Sequence, residues 1–176
     1  MKRIALPTLF ALLCATLATA QGMGGSRPSP AASAECKLPG GKMIKTDYSS
    51  PRMKGRKIYG GLVPYGEVWR TGANEATSFV TDANLEVEGK EVPAGSYTLF
   101  TVPTADKWTL IINKKTGEWG IPYKYESDEL ARVEMHVSKL PSPLENFTIS
   151  YEPSGHGCEL RLDWETTRAS VKFMEK

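Results

Sequence analysis

Apolar residues alternate with polar ones along most of this chain, with the period of two that places one set of side chains on a single face of a strand. Val133, Met135 and Val137 face one way while Glu134, His136 and Ser138 face the other. Phe147, Ile149 and Tyr151 repeat the pattern, as do Leu160, Leu162 and Trp164, then Ala169, Val171 and Phe173. Trp108, Leu110 and Ile112 form one side of a strand over 107–113. Shorter strands are expected over 43–48, 57–59, 68–71, 77–81, 85–88 and 97–102. Turn signals divide them: Ser49-Ser50-Pro51, Gly60-Gly61, Glu88-Gly89-Lys90, Pro93 to Gly95, and a hairpin turn over 114–117. One helical turn is expected at 126–130, and no amphipathic stripe is long enough for more. About ten short strands with little or no helix predict an all-β fold, an antiparallel β-sandwich or a barrel-like relative of one. Parallel α/β architecture is excluded for want of crossover helices.

The ends of the chain read differently. Lys2 and Arg3, an apolar run to Leu17 and the small residues Ala18-Thr19-Ala20 predict a signal peptide over residues 1–20. That run contains Pro7 and is too short for a membrane span, so no membrane anchor is expected. Residues 21–35 are Gly, Ser, Pro and Ala with little to bury, and are expected to be a flexible tether. Residues 36–176 are then a single domain. Loss of the leader lowers the basic residues from 22 to 20, equal to the 20 acidic ones. A neutral domain without a basic arm is a poor partner for nucleic acid. An exported protein, periplasmic or secreted, would join the remaining cysteines, Cys36 and Cys158, in a disulfide.

The most unusual stretch is 50–77, SPRMKGRKIYGGLVPYGEVWRTGANEAT. Arg70, Asn74, Glu75 and Thr77 crowd around Gly72, with Trp69 beside them. Two readings stand together. Arg70, Asn74 and Glu75 form a polar ligand site, or they form an internal network in which Arg70 pairs with Glu75 across the turn. The network is favoured. Val68 shares the expected strand face with Arg70, so a core position for Val68 would bury the guanidinium and demand a carboxylate, Glu75 first and Glu67 second. Arg52, Lys54, Arg56 and Lys57 offer an anion-binding strip or, as the simpler reading, a solvated strand edge. Trp69, Trp119, Tyr65, Tyr123 and Tyr125 are candidates for a ring-stacking platform, with the loop residues Tyr123 and Tyr125 preferred and Trp108 and Trp164 assigned to the core.

Other chemistry is weakly represented. His136 and His156 lack metal-ligand spacing, so no metal and no cofactor is expected. There is no Gly-x-Ser-x-Gly elbow and no catalytic nucleophile beside an evident base.

The stretches SPRMKGRKIYGGLVPYGEVWRTGANEAT, VPAGSYTLFTVP, KWTLIINKKTGEWG, LENFTISYE and LRLDWETT resemble the bacterial family named domain of unknown function 2911, from about Ser49 to Phe173. The resemblance implies an exported, mostly β protein and brings no activity with it. The function expected is a non-catalytic binding or structural module for a small polar ligand or glycan. The alternative is a hydrolase of extracytoplasmic glycans or esters, with Glu75 as acid or base and Arg70 holding substrate. An open cleft lined by rings beside both residues favours the enzyme, and a solid interior favours the module.

Overall fold

The computed structural model describes residues 27–176. The expected signal peptide and the first part of the tether, 21–26, lie outside the described residues. Nine strands account for nearly all regular structure: β1 (Ala31–Lys37), β2 (Met43–Ser49), β3 (Thr77–Thr81), β4 (Leu85–Val87), β5 (Lys90–Val92), β6 (Gly95–Pro103), β7 (Trp108–Asn113), β8 (Glu129–Ser154) and β9 (Gly157–Glu175). They form one antiparallel sheet in the order β1-β2-β3-β6-β7-β8-β9-β4-β5. A 3₁₀ turn at Glu126–Asp128 stands where one helical turn was expected. Among the described residues no helix is long and apolar enough to cross a membrane.

The sheet doubles over on itself without closing. β1 and β9 are far apart in strand order, yet Cys36 of β1 and Cys158 of β9 are joined by a disulfide with Cα atoms 6.5 Å apart. Thr46 of β2 shares a hydrogen bond with Tyr151 of β8, and the Ile149 amide donates to the Tyr48 hydroxyl. The alternation foreseen in β2 and β3 places Ile44, Thr46, Tyr48, Thr77, Phe79 and Thr81 in the interior. Behind them lies an aromatic cluster. Trp69 stacks on Trp164 at 6.0 Å, while Tyr59 meets Trp108 edge-on at 4.9 Å and Trp69 meets Phe147 at 4.9 Å.

The last two strands are long rather than short. β8 pairs with β7 through its first residues and with β9 from His136 onward, so it passes between the two layers. Pro141-Ser142-Pro143 lies inside β8, at a bulge. Lys139 pairs with Thr167 and Leu144 with Glu165, five steps along β8 against two along β9. Proline has no amide hydrogen for the ladder, which is interrupted there while the strand continues and bends.

Four further expectations change. Residues 31–35, assigned to the tether, belong to β1 and pair with β2. Backbone hydrogen bonds hold such an edge strand, so small side chains do not prevent it. The strands expected at 57–59 and 68–71 shrink to single bridges, Tyr59 with Val63 and Trp69 with Thr101. Gly60, Gly66 and the left-handed Thr71 (φ 56°) keep either from extending. The inward face of the second is also reversed: Trp69 and Thr71 are buried, whereas Val68 and Arg70 are only half-buried. A single bridge imposes no alternation, and the larger ring takes the core. Finally, 114–117 opens the long connection to β8 instead of turning a hairpin, because the Lys114 amide bonds the Asp128 carbonyl.

Candidate functional site

The turn from Trp69 to Thr77 closes mostly on itself. The Trp69 amide donates to Thr101 O at 2.7 Å and the Thr101 amide donates back at 2.9 Å. The Trp69 indole donates to Gly72 O at 3.0 Å, tying ring to turn. Thr77 donates its hydroxyl to Thr71 O at 2.7 Å, and Thr71 and Thr101 share a hydroxyl contact of 3.2 Å. Gly72 is required by space: a Cβ there would stand 3.0 Å from Ser49 O and 3.2 Å from the Thr77 hydroxyl. Asn74, left-handed at φ 59°, donates from Nδ2 to Ser29 O at 3.1 Å. The favoured internal network therefore exists, but with other partners than expected.

Arg70 and Glu75 do not form the buried pair. Arg70 donates from Nη1 to the carbonyl of Asn74. Glu75 is exposed, with 53% of its side chain accessible, and both its carboxylate oxygens accept from Arg27 Nη1 at 2.8 and 2.9 Å. The expected partner was outbid by a cation 48 residues upstream, in a segment assigned to the tether. Its own backbone amide and then Arg27 hold the Glu75 carboxyl below its ordinary pKa. Arg70 goes the other way: desolvation lowers its pKa, and the charge of Glu75 opposes this from a distance. No carboxylate among the described residues forms an ion pair with Arg70.

Arg70 instead lies against a cleft of about 380 Å³. Trp69 and Trp164 form part of its lining with Arg56, Asn74 and Ser29, and Leu62, Val63, Trp119 and Ile121 add the apolar walls. The Arg70 guanidinium carbon lies 5.0 Å from the centre of the Trp119 ring, within cation–π range. Gly120 makes this approach possible. Its φ is +90°, and a Cβ there would come within 2.9 Å of Ala76 Cβ, 3.0 Å of Phe100 and 3.4 Å of Arg70 Cβ. A residue without a side chain lets the loop lie on Arg70, with Trp119 and Ile121 projecting beside the cleft. Arg56 is partly committed, donating to Met53 O at 3.0 Å and Arg52 O at 2.7 Å.

The sequence candidates thus divide. Arg70, Asn74 and Trp69 meet at the cleft. Thr77 is buried in the turn, and Glu75 stands outside the cleft in a second, smaller depression with Arg27 and Glu118. Tyr123 and Tyr125, the preferred platform, pack on Phe100 at 4.9 and 6.0 Å, away from the cleft lining. Tyr123 donates to Glu129 at 2.6 Å, and burial followed by that carboxylate pushes its hydroxyl pKa up. Of the proposed rings, Trp119 and Tyr65 are exposed, at 56% and 45%, and of these two only Trp119 lines the cleft. Leu62, Ile121 and Ser29 were not foreseen. A signal existed for two of them: Leu62 and Ile121 are large aliphatics among Gly and Pro residues, with no strand to bury them. Among the described residues no three His, Cys, Asp or Glu side chains are grouped to hold a metal ion.

The profile of the family described as "Protein of unknown function (DUF2911)" matches residues 29–173, and the chain belongs to that family. No curated protein and no solved structure matches it.

Proposed function

We propose that this DUF2911 member is an exported, non-catalytic module that binds a small ligand in the cleft formed by Trp69, Arg70, Asn74 and Trp119. The observation that carries this reading is a ring-lined cleft whose lining includes two arginines and no carboxylate. A cleft of this size sits at the lower end of the roughly 300–1,000 Å³ usual for small-molecule sites. An open, ring-lined cleft is also what the hydrolase reading requires. That reading loses support because its acid or base, Glu75, faces away and is bound by Arg27. A carboxyl held below its ordinary pKa is also a poor proton donor near neutrality. The Cys36–Cys158 disulfide supports export, since such bonds persist in oxidising compartments.

Thermal-shift screening of the secreted protein against small acids, sugars and esters tests the proposal. A specific binder at a hundred times its Kd stabilises the native state by about 2.7 kcal/mol. The same ligand should lose its effect on Trp119→Ala. Ligands that stabilise both proteins equally, or turnover of an ester by the wild type, would contradict it.

A further inference from the structure

We propose that the ligand of this cleft is a small organic anion, a carboxylate carried on a compact apolar body such as an aryl ring or a branched alkyl group. The inference rests on the reading of the cleft as a ligand site and names what that site selects.

Charge is the first argument. Arg56 and Arg70 are the ionisable lining residues, both cationic, so an anion is the complementary guest. Arg70 uses Nη1 for the Asn74 carbonyl, and its guanidinium carbon lies over the Trp119 ring. Nε and Nη2 make no hydrogen bond among the described residues, and those two N–H groups match the fork geometry of a carboxylate. Desolvation already lowers the pKa of this guanidinium, the direction expected of a cation whose countercharge is missing. A phosphate dianion would seek a second cation, but Arg56 holds the Met53 and Arg52 carbonyls through Nε and Nη2.

Polarity is the second argument. Reading the hydroxyls of a sugar takes several fixed donors and acceptors. The neutral amide and hydroxyl side chains lining this cleft are Ser29 and Asn74, and one of the two Asn74 amide hydrogens is already bonded to Ser29 O. The third argument is the exposed apolar surface. Trp119 at 56%, Leu62 at 44% and Ile121 at 40% are three of the six large hydrophobics left exposed among the described residues, and all three line this one cleft. An apolar guest body removes that surface from water.

Isothermal titration of the full chain decides the matter, with 3-phenylpropionate, 4-methylpentanoate, 3-phenylpropanamide, methyl β-glucoside and inorganic phosphate as probes. Both acids should bind, and 3-phenylpropionate at least tenfold more tightly than its amide. Arg70→Gln should abolish the preference for acid over amide, with Arg70→Lys retaining part of it. Trp119→Ala should weaken acid and amide alike. The acid-to-amide comparison uses only the wild type, so a variant that fails to fold does not block the test. Glucoside binding that depends on Trp119, with the acid no tighter than the amide, would overturn the carboxylate assignment and leave the cleft reading standing. Phosphate binding more tightly than either acid would overturn the apolar body. If no probe binds even at millimolar concentration, this inference is wrong, while hits in the broader thermal screen would still uphold the site.

Discussion

Arg70 and Arg132 are arginines in one domain with opposite surroundings. Arg132 donates from Nε and Nη2 to both oxygens of Glu129 at 2.6 and 2.7 Å. Tyr123 adds a third donor to that carboxylate, and Asn113 holds Tyr123 at 3.2 Å and the Tyr125 carbonyl at 2.8 Å. The Glu129 contact raises the pKa of Arg132, and the guanidinium lowers that of Glu129. Arg168 is similar, paired through two bonds with Asp163. Arg70 has a backbone carbonyl, a tryptophan face and a lowered pKa. Arg132 and Arg168 each pair with a carboxylate no more than five residues away along the chain. Arg70 also has Glu75 five residues away, but that carboxylate is bound to Arg27.

Breaking a closed pair should have the largest effect. Asp163→Ala would leave Arg168 without its countercharge in the middle of β9. The expected cost is about 2–3 kcal/mol in chemical denaturation, below the value of roughly 3–5 for a fully buried pair, because a third of the Arg168 side chain stays in water. A cost as small as that of an exposed pair would mean that the closed networks contribute no more than the open site.

Gly120→Ala attacks the loop that places Trp119 over Arg70. The left-handed backbone and the 2.9 Å contact with Ala76 predict a loss of about 1–3 kcal/mol and a displaced Trp119. Denaturation read together with the Trp119 indole resonance checks both effects. An unmoved indole signal would separate the loop from the site.

Arg70→Leu should change stability by less than about 1 kcal/mol in either direction, since no buried carboxylate is left behind. That is the reverse of what the expected Arg70–Glu75 pair demands, and a loss near 4 kcal/mol would restore that pair.

Tyr59 sharpens the contrast from the other side. Its hydroxyl is the single buried side-chain polar atom without a partner among the described residues, but the core encloses it. Burial first, then Glu165 and Asp163, pushes its pKa well above the ordinary phenol value of about 10. A raised pKa contributes stability that is complete below the unfolded value and declines as pH rises toward the folded one, because only the unfolded chain gives up the proton. Tyr59→Phe should be as stable as wild type near neutrality and lose less above pH 10, measured by urea unfolding across that range. A clear loss at neutral pH would show that the hydroxyl has a partner.

The sequence makes the strands legible because their alternation survives into the burial pattern of β2, β3 and the first part of β8. It makes the 69–77 turn legible because a run of Gly, Thr and Asn cannot continue a strand. The partners inside that turn are not legible. Glu75 is five residues from Arg70, and nothing local reveals that Arg27 will take it. β1 is invisible for a related reason: its Ala and Ser side chains bury little, and its pairing to β2 is made by backbone groups every residue has. Pro141 and Pro143 do not end β8, because a bulge carries the strand past them. The face of Trp69 was misjudged by extending a period of two through a single bridge.

The central claim is that Arg70 is the cation held open for a guest while Arg132 and Arg168 are closed within the fold. The side-chain Nε–H resonances of these three arginines, followed by ¹⁵N NMR during titration with 3-phenylpropionate, test it most directly. Arg70 alone should shift, saturating with the same Kd as the calorimetric titration, while Arg132 and Arg168 stay in place. Saturable binding with the Arg70 resonance unmoved, or all three moving together, would contradict the account.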